Sequence, residues 1–278
     1  MRTCSLGRGS ISEVKYRKEE VMNSDDSVNL DDLVIEGEDL SGLELEPRTW
    51  YSFVQAQVDL LRAHVHGLEN QIDESVKAYE KEKAVTDFEE YDDGYAHIIL
   101  EEHRGIEGPP NHLEEIFKYY FPNLQRRSTL IVLFSFLEHQ LNQLCELLAT
   151  TQKLSIVHTD LRDMGIVRSR RYLKKVICLP VDDDSVIWQQ IQRIQKVRNV
   201  VVHNDAKLVN TDVINIVKES EYLCLASDSE SYYYHDSDSD DDEVNILEGY
   251  LIHVLDTCDA YCGELNKAIE SCLGPSIL

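Results

Sequence analysis

The sequence is poor in glycine, proline and long apolar runs, and each shortage narrows the class of protein. Only 12 Gly and 6 Pro occur in 278 residues, which favours long helices over closely spaced turns. No apolar run approaches the roughly 20 residues of a membrane-spanning helix, and the start lacks the apolar core of a secretory signal. The 7 Cys are odd in number and scattered, so no disulfide framework is predicted. We therefore expect a helical protein of the reducing cytoplasm with no membrane partner.

Basic residues are also scarce. The chain has 27 Lys and Arg against 52 Asp and Glu, and its net charge of −25 repels nucleic acid at long range. The charge is uneven, because residues 111–210 carry +4 whereas the segments 1–45, 46–110 and 211–278 carry −6, −9 and −14. Fields between exposed charges fade within about 8 Å at physiological salt. The total charge therefore disfavours nucleic-acid binding without excluding it in the segment 111–210.

The chain divides into three segments. Residues 1–45 are an acidic N-terminal segment whose apolar residues show no sustained periodicity. We expect this segment to be disordered or to contain an isolated strand. Residues 46–110 are predicted to form a long helix and an acidic connector, because apolar residues recur every three or four positions from Trp50 to Tyr79. Residues 111–278 are predicted to form a compact helical domain.

The predicted fold class is mainly α. Apolar periodicity predicts four helices in the last segment, at 128–150, 168–176, 185–204 and 246–271. Before the last of them, Glu221–Ala226 and Glu243–Leu247 could form a small β-hairpin, joined by the acidic loop 227–243.

A compact chemical motif closes the helix predicted at 185–204. Arg198 is followed by the polar Asn199, three valines and His203. A guanidinium can stabilise charge on a phosphate, and an imidazole can move protons near neutral pH. Together they could cleave RNA through its 2′-hydroxyl and leave a 2′,3′-cyclic phosphate without a metal. The alternative to a catalytic role is that Arg198 and His203 are simply polar residues at the end of a helix.

The spacing of the motif poses a geometric problem. Arg198 and His203 are five residues apart and diverge by about 140° on an ideal helix, whereas Asn199 and His203 share a face. The arginine must therefore reach round the helix, the helix end must distort, or a second helix must complete the pocket.

The stretch from Ile194 to Asn204 resembles the Arg-polar-x3-His signature of the HEPN superfamily. The basic stretch from Gly165 to Lys175, the acidic turn before Trp188 and the Phe136-Leu137-Glu138 helix also resemble prokaryotic-type HEPN domains. The resemblance covers about 111–278, and the acidic insert 227–243 departs from it. It implies an up-and-down helical bundle, usually a homodimer whose motif helices face each other across a composite cleft.

The resemblance also implies a function. Many members are metal-independent endoribonucleases in toxin–antitoxin, phage-defence or RNA-processing systems. The implied catalytic residues here are Arg198, Asn199 and His203, with Glu138 in support. RNA would be the substrate, a protein such as an antitoxin could be a partner, and no cofactor or metal is implied. Because other members are scaffolds, a non-catalytic helical interaction protein is the alternative.

The remaining patterns are less specific. Five basic residues could bind RNA phosphates or form a solvated helix face: Arg168, Arg170, Arg171, Lys174 and Lys175. Cys258 and Cys262 lie on an apolar helix face, which favours buried thiols over metal ligands. His64 and His66 diverge, and the sequence from Asp236 fails the calcium-loop pattern, so no metal site is predicted. We also hypothesise that the loop 227–243 competes with RNA for the five basic residues.

Overall fold

The computed structural model describes residues 50–91, 95–208, 210–226 and 242–274, and these residues are mostly helical. The predicted fold class, mainly α, is confirmed. The helices are α1 Trp50–Glu82, α2 Pro110–Glu115, α3 Phe121–Thr151, α4 Gly165–Lys175, α5 Val186–His203, α6 Thr211–Glu219 and α7 Tyr250–Leu273. A π-helical turn, Ile116–Tyr120, joins α2 to α3, and a 3₁₀ turn, His158–Asp160, precedes α4. Within the described ranges, no helix combines the length and apolarity needed to cross a bilayer.

Two small antiparallel sheets accompany the helices. The first has the strand order β1 Ala84–Tyr91, β2 Tyr95–His103 and β3 Ile106–Gly108. The second places β6 Asp242–Ile246 between β4 Lys207–Leu208 and β5 Leu223–Leu225. The antiparallel pairing of β5 with β6, in which Leu223 lies opposite Ile246, confirms the two strands predicted before the last helix. The first sheet was not predicted. The acidic residues of the connector after the long helix, at 85–110, interrupt the apolar pattern by which strands are recognised.

The main core lies among α1, α3, α5 and α7, whose buried apolar side chains form one cluster. Helix α1 runs antiparallel to α7, since the Tyr51 hydroxyl donates to Asp259 at 3.2 Å and Arg62 pairs with Asp256 at 2.8 Å. Near the start of α5, the Trp188 ring centroid lies 5.4 Å from that of Tyr261 on α7. The motif helix is thus held on its apolar face by the core.

Helix α3 anchors the second sheet near the end of α5. The Arg127 guanidinium donates to the carbonyl of Val244 at 2.7 Å, and Asn123 accepts from the Ile246 amide at 3.0 Å. The Val244 amide in turn donates to the carbonyl of Ala206, three residues past the end of α5, at 3.1 Å. Because both polar side chains on α3 are buried, these bonds hold β6 and the segment that follows α5 firmly against α3.

A second, smaller core lies at the other end of α1. It contains Tyr79, Leu113, Ile116 and Phe117. The Tyr79 and Phe117 rings stack with centroids 5.1 Å apart, and the Tyr79 hydroxyl donates to Glu101 on β2 at 2.8 Å. Burial and this carboxylate raise the pKa of Tyr79 well above its usual value. The first sheet is therefore fixed to the end of α1 by both packing and a buried hydrogen bond.

Candidate functional site

The motif helix is regular from its first residue to His203. The Ser185 hydroxyl caps its start by accepting the Trp188 amide at 3.3 Å. After His203 the chain leaves the helix at once, because Asp205 and Ala206 adopt left-handed φ values of 51° and 66°. The helix end does not distort to bring Arg198 towards His203.

Arg198 is half-buried against α3. Its guanidinium carbon lies 5.6 Å from the ring centroid of Phe134, and Nη1 donates to Asn199 Oδ1 at 3.2 Å. Nε is buried and has no hydrogen-bond partner among the described residues. A guanidinium held over an aromatic ring and partly removed from water attracts an anion more strongly than a freely solvated one. Because Nε is enclosed, a phosphate contact would fall to the terminal Nη groups of this half-buried guanidinium.

His203 lies at the last position of α5 and is exposed. It forms no hydrogen bond, ion pair or ring contact with any residue that the structure describes. On the regular helix its side chain points about 140° away from that of Arg198 and lies about 7.5 Å further along the axis. One chain therefore does not bring the two proposed catalytic groups together.

Asn199 lies on the same helix face as His203 but is bonded to Arg198. It lies four residues before His203 and so shares its face of the helix. Its side-chain oxygen, however, accepts the hydrogen bond from Arg198. Asn199 orients the guanidinium in this structure rather than the imidazole.

Glu138 lies one helical turn beyond Phe134 on α3, at the start of α4. A Cβ built on Gly165 would be 3.5 Å from Glu138 Oε1. A carboxylate at a helix N-terminus is favoured by the helix dipole and the free amides there. No hydrogen bond or ion pair joins Glu138 to Arg198 among the described residues.

Arg170 was predicted to bind RNA phosphates, but it is a buried structural residue. It is 6% exposed, Nη1 donates to the Tyr261 hydroxyl at 3.0 Å, and Nη2 donates to the carbonyl of Asp182. Its guanidinium carbon lies 4.2 Å from the Trp188 ring centroid. The side chain joins α4 to α5 and α7 inside the protein and cannot reach a phosphate at the surface.

The other four basic residues of α4 differ in their availability. Arg168 is half-buried, with Nε enclosed and unpartnered among described residues. Arg171 pairs with Asp163 at 2.5 Å, and Lys174 pairs with Asp183. Lys175 is exposed and forms no ion pair with a described residue. RNA binding on this face would therefore compete with two carboxylates already in place.

Two of the cysteines on α7 are buried. Cys258 and Cys262 are each 1% exposed within the main core, which confirms that they are core thiols. Burial raises the pKa of Cys258 to about 12 and that of Cys262 well above its usual value. His64 and His66 are exposed on α1. Among the described residues, no group of three or more acidic, His or Cys side chains is placed to hold a metal ion.

Several sequence predictions lie outside the described residues. The N-terminal segment 1–45 and nearly all of the acidic loop 227–243, including the segment that begins at Asp236, belong to this group. At the end of the loop, Glu243 is described and forms an ion pair with the buried Arg127 at 3.1 Å.

Phe134 was not predicted as a residue of this site. It contacts Arg198, which lies 64 positions further along the chain, and apolar periodicity carries no information about such a pair. Comparisons of the chain with protein-family models, with curated proteins and with solved structures each gave no match.

Proposed function

We propose that the protein is a metal-independent endoribonuclease of the HEPN type that acts as a homodimer in the cytoplasm. In this proposal α1, α3, α5 and α7 form the up-and-down bundle, with α1 as its long N-terminal helix. The observation that carries the proposal is the state of Arg198. Its guanidinium is half-buried and is held in place by the Phe134 ring and by the hydrogen bond to Asn199.

The proposed reaction needs one base and one cation. The neutral imidazole of His203 takes the proton of a ribose 2′-hydroxyl, and the resulting oxygen attacks the adjacent phosphorus. Arg198 stabilises the negative charge that grows on the non-bridging oxygens. The bond to the 5′-oxygen breaks, that oxygen takes a proton from water, and the His203 imidazolium returns its own proton to the solvent. The products are a 2′,3′-cyclic phosphate and a 5′-hydroxyl.

The two groups must come from two copies of the chain. Because α5 stays regular through His203, the two side chains of one copy diverge, and a second copy can supply the missing partner group. Val202 lies one turn after Arg198 and is 40% exposed. This apolar side chain on the Arg198 face of α5 offers a surface on which a second copy could pack.

The alternative is a non-catalytic interaction protein with the same fold. The lack of convergence between Arg198 and His203 in one chain favours it, as does the net charge of −25. In that case a protein partner, such as an antitoxin-like regulator, would replace RNA as the ligand.

Cleavage of RNA in the presence of EDTA tests the proposal. We expect the wild-type protein to produce cyclic phosphate ends, and His203→Ala to lower the rate by about 10²–10⁴-fold, the usual contribution of a positioned acid or base. His64→Ala is the matched control, because His64 is also an exposed helical histidine. Equal rates for folded His203→Ala and wild-type protein would rule the mechanism out and favour the interaction protein.

A further inference from the structure

A cavity of about 420 Å³ opens between α5, α6, β5 and the start of α7. Its wall includes Arg193, Glu219, Glu221, Tyr222, Tyr250 and His253. Arg193 precedes Arg198 by five residues on α5 and therefore points about 140° away from it. The cavity is separate from the Arg198 contact, and its volume lies in the range of about 300–1,000 Å³ that is typical of small-molecule sites.

Three aromatic rings form one side of the cavity. The rings of Tyr222 and His253 stack with centroids 5.5 Å apart, and Tyr250 follows at 6.3 Å from His253. Gly249 makes the close packing possible, because a Cβ there would lie 3.1 Å from the Tyr222 ring. The electron-rich face of a tyrosine ring attracts a cation, and the attraction grows when water is excluded.

The Tyr250 hydroxyl is a polar group in this wall. Tyr250 is 4% exposed and lines the cavity, and its hydroxyl forms no hydrogen bond with a described residue. Burial raises the pKa of Tyr250 well above its usual value, so the hydroxyl stays neutral and can accept a hydrogen bond from a ligand.

The charges of the cavity favour a positive ligand. Arg193 is already paired with Glu219 across the opening, so its charge is largely cancelled. Glu221 adds a second carboxylate and bonds to the Tyr222 hydroxyl, which raises the pKa of Tyr222. An anion would be repelled here, whereas a cation would be attracted.

We propose that this cavity binds a small organic cation, a molecule that carries a protonated amine. The ammonium group would lie against the Tyr222 and Tyr250 rings, near Glu221 and Glu219, and would donate to the Tyr250 hydroxyl. This site is independent of the proposed ribonuclease activity and would exist in the interaction protein as well.

Calorimetric titration with putrescine tests the site, with 1,4-butanediol as the uncharged molecule of similar shape. We expect saturable binding of one putrescine per chain and none of the diol. Tyr250→Phe keeps the ring and should weaken putrescine binding by about 2–10-fold, the effect of one hydrogen bond. Glu221→Gln should weaken it by a similar factor through loss of the nearby charge.

Glu146→Gln is the matched control, because it removes the same charge from an exposed position on α3. If Glu146→Gln and Glu221→Gln weaken binding equally, putrescine is only a diffuse counter-ion of an acidic protein and the site does not exist. Equal binding of putrescine and the diol, or no saturable binding, would also overturn the proposal. Thermal unfolding of each variant checks that it is folded before titration.

Discussion

Three arginines show how much the role of a residue depends on its surroundings. Arg170 and Arg171 are neighbours in one basic run, but the first is buried under Trp188 and Tyr261 and the second is paired with Asp163 at the surface. Arg198 is half-buried and keeps an N–H unpaired among described residues. The sequence identified all three as cations. It could not distinguish them, because the difference arises from helices that are distant in the chain.

The correction at Arg170 leads to a prediction about stability. Arg170→Met keeps an apolar stem but leaves the Tyr261 hydroxyl and the Asp182 carbonyl without their donor. We expect the free energy of unfolding in urea to fall by about 2–4 kcal/mol, because two charge-assisted hydrogen bonds are lost in a buried place. Arg171→Met, at an exposed ion pair, should change stability little. If Arg170→Met weakens RNA binding and leaves the urea midpoint unchanged, the original interpretation of Arg170 as an RNA ligand is restored.

At the scale of elements, apolar periodicity predicted the helices of the last segment well. The helices predicted at 128–150, 168–176, 185–204 and 246–271 are α3, α4, α5 and α7, with ends shifted by one to four residues except at the start of α3, which begins seven residues earlier than predicted. The shifts occur where caps and turns, rather than apolar spacing, decide the end. Ser185 and Asn204 were placed correctly at the ends of α5, since both are residue types that favour helix ends.

Elements with weak periodicity were missed. The strands β1 and β2 belong to a stretch rich in acidic residues, and the signal for them was the turn pair Asp93-Gly94 between two runs of possible strand residues. Helix α6 was missed although Asn210 caps it, accepting the Asp212 amide at 2.8 Å. Short elements such as these depend on packing against the rest of the fold, which the local sequence does not contain.

Alanine substitutions at two helix glycines are expected to change stability in opposite directions. Gly165 starts α4 with φ +59°, and a Cβ there would lie 3.5 Å from Glu138 Oε1. We expect Gly165→Ala to lower the free energy of unfolding by about 1–2 kcal/mol, since only glycine adopts this conformation without strain. Gly67 lies inside α1 with no atom within 4 Å of its Cβ position, so Gly67→Ala should raise stability by about 0.5–1 kcal/mol. Changes of the same sign in thermal or urea unfolding would contradict this account of the two positions.

At the scale of the whole molecule, the proposed catalytic site is incomplete in a single copy of the chain. The sequence already implied this, because five residues of regular helix separate Arg198 from His203. What the sequence could not supply was the environment of each group. Phe134 and Asn199 hold Arg198 in place, whereas the His203 side chain forms no hydrogen bond, ion pair or ring contact with a described residue. The arrangement fits a site shared by two copies, in which Arg198 of one faces His203 of the other.

Assembly must therefore be measured before activity is interpreted. We expect light scattering at micromolar concentration to give about twice the chain mass of 32.0 kDa for the wild-type protein, Arg198→Ala and His203→Ala. A monomer mass throughout that range would exclude a shared site directly. The two variants are each expected to be inactive on RNA, because every shared site in a uniform dimer lacks one of its two groups.

Mixing these two inactive variants gives the sharpest test. In a two-fold symmetric dimer of one Arg198→Ala copy and one His203→Ala copy, one site lacks both groups and the other site retains both. Random exchange of subunits makes half of the dimers mixed, so about a quarter of the wild-type cleavage rate should return. If both groups of a site instead belonged to one chain, each copy in the mixture would lack a group and no activity would return. Denaturing and refolding the mixture ensures exchange, and wild-type protein treated in the same way shows how much activity survives the treatment. An inactive mixture that contains mixed dimers by mass spectrometry would exclude the shared site.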